Sequence, residues 1–251
     1  MQTTLLLIIE IVGTIAFAIS GIRLAAAKKF DWFGAYVVGL VTAIGGGTLR
    51  DILLDTTPFW MVNGWYLAVT GISLLYVILF RKQLVRLNST FFFFDTIGLG
   101  LFVVIGIQKT LMFDYPMWVA IFMGTITGAL GGVIRDILIN EEPLIFRKDV
   151  YGTACIAGGV VYWLTMLAGF SGSVQQISCA VAVIAIRLLS VKYNWSIPVL
   201  RNNENYKPAT MNNQAKKTTI QLLKYGIIGV GNTLITLVVF YLFNTILGLS
   251  Y

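Results

Sequence analysis

Two short segments of the sequence place glycines just before an adjacent arginine and aspartate. Their residues are Gly45, Gly46, Gly47, Arg50 and Asp51 in the first, and Gly131, Gly132, Arg135 and Asp136 in the second. Consecutive glycines favour bending or local unwinding of a helix, which frees backbone carbonyls to bind a cation. At membrane depth, such free groups are tolerated only inside protein or beside a water-filled cavity. The two segments are therefore candidate pore-lining or gating sites.

The same glycines also fit a second interpretation, in which they serve only helix packing. Small residues recur every four positions at Gly124, Gly128 and Gly132, and at Gly39, Ala43 and Gly47. This spacing lets two helices approach closely. The sequence leaves permeation and packing open, and the two are compatible.

The charges in these segments need partners if they lie within a membrane. An arginine or aspartate at the bilayer centre costs on the order of 3 kcal/mol. Successive helix residues point about 100° apart, so we expect Arg50 not to pair with Asp51. The candidate partners are Asp136 for Arg50 and Asp51 for Arg135, or the acids Glu10 and Asp95. If instead both pairs lie at the ends of their spans, the long side chains can extend toward the interface, which lowers the free-energy cost of placing their charges in the membrane.

The composition shows that these residues belong to a membrane protein. Of 251 residues, 57% are hydrophobic and 12% are charged, and the mean hydropathy is +0.83. Soluble domains carry about 25% charged residues, so this chain has too little polar surface for a soluble enzyme. It has no histidine, which excludes imidazole catalysis and histidine-ligated metals. We expect no enzymatic activity, no metal site and no cofactor other than a permeating monovalent cation.

Eight apolar stretches follow one another along the chain. They cover residues 5–26, 33–54, 65–80, 91–109, 117–139, 151–170, 174–191 and 222–247. A helix needs about 20 apolar residues to cross the hydrocarbon core, so these stretches predict an all-α membrane protein. The main partner is the lipid bilayer. Nucleic acid is not expected, because the basic residues flank the spans instead of forming a polar face.

The basic residues also predict an orientation. Of the 18, thirteen fall on one side of the alternating path through these spans: Lys28, Lys29, Arg81, Lys82, Arg86, Arg147, Lys148, Lys192, Arg201, Lys207, Lys216, Lys217 and Lys224. Only Lys109 falls on the other side, and Arg23, Arg50, Arg135 and Arg187 lie within spans or at their edges. Since basic loops stay in the cytoplasm, we expect an outside N-terminus and a cytoplasmic 192–221 linker.

The second glycine segment repeats the first at a constant offset, the separation along the chain between Arg50 and Arg135. This repeat offset also pairs Glu10 with Asp95, Phe17 with Phe102, Thr42 with Thr127 and Pro58 with Pro143. Each repeat holds three spans, and an odd number inverts the second repeat relative to the first. Inverted repeats are common in transporters and some channels, whose sites lie near the midplane.

The repeat and the tail together predict five parts of the chain. These are a three-helix repeat (1–85), its inverted copy (86–170), a seventh helix (171–193), a cytoplasmic linker (194–221) and an extra transmembrane helix (222–251). The linker is polar and rich in asparagine, which is typical of flexible segments. We assign the eighth helix no function.

The GGGTLRD and GGVIRD motifs, on the second and fifth spans, resemble those of the prokaryotic trimeric intracellular cation (TRIC) channels. This family is also labelled glycine transporter domain, or UPF0126. The resemblance covers about residues 5–193. It implies a homotrimer in a bacterial or archaeal cell membrane, with a pore in each protomer for monovalent cations, chiefly K⁺. The pore would lie between the repeats and be lined by glycine-kinked second and fifth helices, carrying the nine motif residues named above.

Two further hypotheses remain open. A secondary transporter of a small amino acid such as glycine would also use inverted repeats and broken helices, and paired arginines suit a carboxylate. The repeated charges argue against a scaffold without flux. For either transport function, we expect Arg50→Ala and Arg135→Ala to change flux without abolishing folding.

Overall fold

The computed structural model describes residues 4–80, 90–147 and 150–195, all within one compact unit, Met1–Val199. These residues form eight α-helices: α1 (Thr4–Ala27), α2 (Trp32–Leu53), α3 (Phe59–Val62), α4 (Trp65–Leu79), α5 (Thr90–Leu111), α6 (Met117–Leu138), α7 (Gly152–Leu167) and α8 (Gly172–Lys192). A 3₁₀ turn covers Leu144–Phe146. The described part of the chain has no β-strand, and the predicted all-α class is confirmed.

Seven of the eight predicted spans match a long helix to within about three residues at each end. Five of these helices are long and apolar enough to cross a membrane: α1, α2, α5, α6 and α8. Helices α4 and α7 are apolar but have only 15 and 16 residues, which is about 22–24 Å of helix. The eighth predicted span and almost all of the linker lie outside the described residues.

Local sequence explains where the helices begin and end. The side chain of Asp31 caps α2 by accepting a hydrogen bond from the Gly34 amide at 2.7 Å. After α2 and α6 the chain turns through Asp55 and Asn140, whose φ angles are 53° and 56°. This left-handed conformation is a common helix terminator, and asparagine and aspartate tolerate it. The repeat offset relates Asp55 to Asn140, so the two stops are equivalent.

Helices α1, α2 and α4 form one group and helices α5, α6 and α7 form a second, and the two groups run in opposite directions. Leu6, at the start of α1, lines one cavity together with Lys109, near the end of α5. Leu24, near the end of α1, lines another cavity together with Phe91, at the start of α5. Helices α1 and α5 are therefore antiparallel. Arg50 at the end of α2 lines the first of these cavities, and Asp136 at the end of α6 lines the second, so the ends of α2 and α6 lie at opposite ends of the helical bundle.

The interior lies where the two groups meet. Phe17 of α1 and Phe102 of α5, equivalent in the repeat, are buried with their ring centroids 5.1 Å apart. Trp32, Phe33 and Trp118 are instead 73%, 74% and 68% exposed. Large apolar side chains on the outer surface are expected where a protein faces the hydrocarbon of a lipid bilayer, and aromatic rings are common near the membrane interfaces.

Candidate functional site

Each arginine–aspartate pair lies in the last turn of its helix and is buried. Arg50 and Asp51 are 2% and 0% exposed, and Arg135 and Asp136 are 0% and 3% exposed. In each pair the arginine Nε donates to Oδ1 of the next residue at 2.8 Å. The prediction that neighbouring residues would not pair is wrong, because the long arginine side chain turns its guanidinium back onto the adjacent carboxylate.

The second oxygen of each aspartate holds the loop that follows the helix. The Phe59 amide donates to Oδ2 of Asp51 at 2.9 Å, and the Leu144 amide donates to Oδ2 of Asp136 at 3.1 Å. The repeat offset relates the two amides to each other, as it does the two aspartates. Each motif therefore uses one carboxylate to fix both its own arginine and the start of the next short helical segment.

Of the two sets of partners that the sequence left open, the pairing of Arg50 with Asp136 and of Arg135 with Asp51 is also wrong, whereas Asp95 does bind Arg135. These partners sit on the final turns of α2 and α6, which lie at opposite ends of the bundle. Reciprocal contact across the repeat instead occurs in the middle of the two helices, where the glycines lie.

Arg135 belongs to a buried group of charged and polar side chains, the sealed cluster, which consists of Ser20, Asp95, Arg135, Tyr151 and Arg187, with Asp136 at its edge beside the smaller cavity described below. Arg135 Nη1 lies 2.5 Å from Asp95 Oδ1 and donates to the Ser20 hydroxyl at 2.9 Å. The Phe91 ring centroid is 4.9 Å from the guanidinium carbon. Two arginines and two aspartates balance each other here, which offsets the large cost of removing them from water.

Arg187 of α8 ties the seventh long helix to this cluster. Its Nη2 lies 4.0 Å from Asp95 Oδ2, and its Nη1 donates to the Val150 carbonyl at 3.1 Å. Its guanidinium carbon is 4.7 Å from the Phe92 ring centroid. Four buried polar atoms of the cluster have no hydrogen-bond partner among the described residues: Asp95 Oδ2, Arg135 Nη2, Tyr151 Oη and Arg187 Nε.

Arg50 has a different environment, since it lines a cavity of about 440 Å³. We call this the α2 cavity; its polar lining is Glu10, Arg50, Thr57, Asn63, Tyr66 and Lys109. Lys109 Nζ lies 2.9 Å from Asp51 Oδ1. Arg50 Nη2 lies 2.7 Å from the same oxygen. The Tyr66 hydroxyl donates to Glu10 Oε1 at 2.5 Å.

A smaller cavity of about 230 Å³ lies at the end of α6, and we call it the α6 cavity. Its lining residues include Lys28, Asp136, Glu141 and Arg147. Lys28 Nζ is 2.5 Å from Glu141, and Arg147 Nη2 is 3.6 Å from it. The hydrogen bond and charge of Lys28 lower the pKa of Glu141 below its usual value. Three lining positions of this cavity, residues 24, 91 and 144, are equivalent to residues 109, 6 and 59 of the α2 cavity.

Between the cavities, α2 and α6 touch through their glycines. A Cβ atom on Gly46 would collide with the Thr127 carbonyl oxygen, and one on Gly131 would collide with the Thr42 carbonyl oxygen. The two contacts are related by the repeat. Each threonine hydroxyl donates to the carbonyl four residues earlier in its own helix at 2.6 Å.

The other predicted glycines have separate contacts. A Cβ on Gly45 would lie 3.0 Å from Ile134 of the other repeat. Gly47 faces Phe59, and Gly132 faces Tyr151, within their own repeats. Both helices continue as α-helix through their glycines, so the expected local unwinding is not present. These glycines serve close packing, the second of the two interpretations.

The sequence interpretation missed several residues of the two sites, among them two tyrosines and two basic residues. Tyr66 and Tyr151 are equivalent positions in the two repeats, so the repeat offset would have found them. Lys109 was visible as the single basic residue on its side of the predicted membrane. Arg187 lay unassigned within a span, and only the packing of α8 reveals its partner.

Comparison with known proteins agrees with this architecture. The family model described as "Glycine transporter" matches residues 7–82 and 92–166. A UPF0126 membrane protein of Vibrio cholerae is 41% identical over 200 residues, covering 79% of this chain and 84% of the relative. The UPF0126 inner membrane protein YadS of Escherichia coli K12 is 39% identical over 201 residues, covering 78% and 97%.

Similar folds occur among solved channel structures. A TRIC trimeric intracellular cation channel orthologue from Rhodobacter sphaeroides superposes with a TM-score of 0.73 at 27% identity. The match covers 76% of this chain and all of that one. A chain from a structural study of conductance through TRIC cation channels gives a TM-score of 0.71 at 30% identity, covering 78% and 98%.

Proposed function

Because this chain belongs to the glycine transporter family, also called UPF0126, we propose that it is a monovalent cation channel of the K⁺ type. Its structural neighbours are TRIC cation channels, and the proposal extends their function to this chain. We further propose a homotrimer in a bacterial inner membrane, with one conduction path through each protomer. Of the nine motif residues, Arg50 and Asp136 would line this path, the glycines would gate it where α2 and α6 touch, and Asp51 and Arg135 would hold the helix ends around it.

The observation that carries the proposal is the pair of cavities at opposite ends of the bundle. The α2 cavity reaches Arg50, and the α6 cavity reaches Asp136, so each ends one turn from a glycine cluster. The contact of Gly46 with Thr127 and of Gly131 with Thr42 lies between them. Opening would require α2 and α6 to separate at this contact, where the carbonyl oxygens of Thr42 and Thr127 face the other helix.

The basic residues suggest how the path is oriented. With the positive-inside rule, the α6 cavity and its Lys28 and Arg147 would face the cytoplasm, and the α2 cavity would face outside. The N-terminus would then be outside. Arg50, which lines the α2 cavity, would act on a cation as an electrostatic barrier and not as a ligand.

A glycine transporter is the second candidate, and one observation favours it. The α2 cavity presents a carboxylate, Glu10, and the basic Arg50 and Lys109, which suits a small zwitterion. Both basic groups, however, already bind Asp51 at 2.7 and 2.9 Å. A substrate carboxylate would have to compete with that buried aspartate, so we favour the channel.

The test is reconstitution of the purified protein into liposomes, with K⁺ flux and uptake of labelled glycine measured in parallel. We expect K⁺ flux and single-channel current steps without saturable glycine uptake. Saturable uptake driven by a gradient, without conductance, would refute the channel in favour of the transporter. Protein-free liposomes set the leak, and an irrelevant membrane protein reconstituted identically controls for damage to the bilayer.

A further inference from the structure

Glu10 and Asp95 occupy equivalent positions in the two repeats but differ in their ion partners. Asp95 is fully buried, with Arg135 Nη1 at 2.5 Å and Arg187 Nη2 at 4.0 Å. Among the described residues Glu10 has one side-chain hydrogen bond, from Tyr66, and no ion pair. Its carboxylate therefore has no basic group bound to it, although two basic groups line the same cavity.

Those two basic groups are directed at another carboxylate. Arg50 and Lys109 both bind Oδ1 of Asp51, whose Oδ2 accepts the Phe59 amide at 2.9 Å. This group of two positive and one negative residues carries a net positive charge. A cavity with only these charges would repel a cation and attract an anion.

Tyr66 holds Glu10 in place at this cavity. The tyrosine is 2% exposed, and its ring packs edge-on against Phe59, with centroids 4.5 Å apart, and stacks on Trp65 at 3.7 Å. Its hydroxyl is consequently fixed, and it positions the Glu10 carboxylate on the cavity wall. Holding a side chain before the ligand arrives reduces the entropy lost on binding.

We propose that Glu10 is the cation-selecting residue of the α2 cavity. Its negative charge offsets the surplus positive charge of Arg50, Lys109 and Asp51, so that a monovalent cation can enter. Asp95 has no such role, because two arginines neutralise it away from either cavity. The inference rests on the proposed channel function, since it assigns a residue to the selectivity of that path.

The test is the K⁺/Cl⁻ permeability ratio, obtained from reversal potentials across a planar bilayer under a KCl gradient. We expect Glu10→Gln to lower this ratio by about three- to ten-fold, the effect of one unit charge about 5–10 Å from the ion in a water-filled cavity. Glu10→Asp keeps the charge and should retain most of the preference. Asp31→Asn removes an exposed carboxylate that lines neither cavity of the proposed path and keeps a good helix cap, so it should change the ratio less than two-fold.

A second variant keeps the inference testable if Glu10→Gln does not assemble. Lys109→Gln removes a positive charge from the same cavity at a side chain that is 28% exposed, and it should raise the ratio. An unchanged ratio in whichever of the two variants conducts would overturn the assignment of Glu10. Absence of any conductance in the wild-type protein would instead refute the proposed function, and this inference with it.

Discussion

The same motif stands in two different environments in the two halves of the molecule. In both, an arginine binds the next aspartate at 2.8 Å, and that aspartate accepts an amide from the following loop. The copy at the end of α2 borders a cavity and shares its aspartate with Lys109. The copy at the end of α6 extends into the sealed cluster and binds Asp95 and Ser20. Duplication preserved the local geometry, and the surroundings decide whether the arginine lines a cavity or packs only against protein.

This comparison separates two uses of buried charge. A sealed charge contributes to folding, because removal of one partner leaves the others uncompensated in a low dielectric. A charge beside a water-filled cavity can be partly compensated by solvent, so it is free to act on a passing ion. Substitution of Arg135 should consequently damage folding, whereas substitution of Arg50 should mainly change the passage of ions.

The largest expected effect is on folding and comes from Arg135→Ala. This change leaves Asp95 and Asp136 buried without their shared partner and should cost about 3–5 kcal/mol of the free energy of unfolding. Arg50→Ala should cost about 1–2 kcal/mol, because Lys109 still compensates Asp51. Thermal melting of the purified variants in one detergent compares them directly. The sequence alone predicted that both variants would fold, and the structure now restricts that expectation to Arg50→Ala.

A double variant sharpens the comparison. Arg50→Ala combined with Lys109→Ala removes both cations from Asp51 and should bring the loss close to that of Arg135→Ala. Equal melting temperatures for Arg50→Ala and Arg135→Ala would show that the two arginines contribute equally to stability despite their different surroundings.

The sequence predicted the helices well and their contacts unevenly. Apolar length and the repeat offset located seven long helices, because both follow from the order of residues along the chain. Contacts between helices also depend on how far each helix is rotated about its axis, which the sequence does not state. For this reason the offset found Glu10 and Asp95 as a pair, but could not show that only Asp95 binds arginines.

The helix ends show a second limit. The expected angle between Arg50 and Asp51 comes from ideal helix geometry. That geometry gives the direction in which each side chain leaves the backbone, but not the position of the guanidinium at the end of a long side chain. Asp51 and Asp136 also accept loop amides eight residues later, at 2.9 and 3.1 Å. These bonds to the loop hold each carboxylate within reach of its own arginine. Helical periodicity does not predict the geometry of the loop.

An intermediate effect is expected at the glycine contact, where the halves should respond alike. Gly46→Ala and Gly131→Ala each place a Cβ against a backbone carbonyl of the other repeat, which cannot move aside as a side chain does. Each should cost about 1–3 kcal/mol of stability. Gly71→Ala is the matched control, because a Cβ there meets no atom within 4 Å, and should be neutral or stabilising by up to about 1 kcal/mol. Thermal melting provides the measurement, and a large difference between Gly46→Ala and Gly131→Ala would contradict the symmetry of the contact.

The smallest effect is expected at the rim of the α6 cavity, from Glu141→Gln. Glu141 is exposed and pairs with Lys28 at 2.5 Å, so solvent and salt screen most of the interaction. The pKa of Glu141 is lowered by Lys28, so the folded protein binds its proton less readily than the unfolded chain does. Any stability from the pair is therefore fully present above the unfolded pKa of about 4.3 and is lost as the pH falls through the lower folded value. Melting curves of wild-type and Glu141→Gln protein should differ slightly at pH 7 in low salt and converge at lower pH or in 1 M KCl. A difference that survives both treatments would mean that Glu141 is coupled to the sealed cluster and is not a screened rim charge.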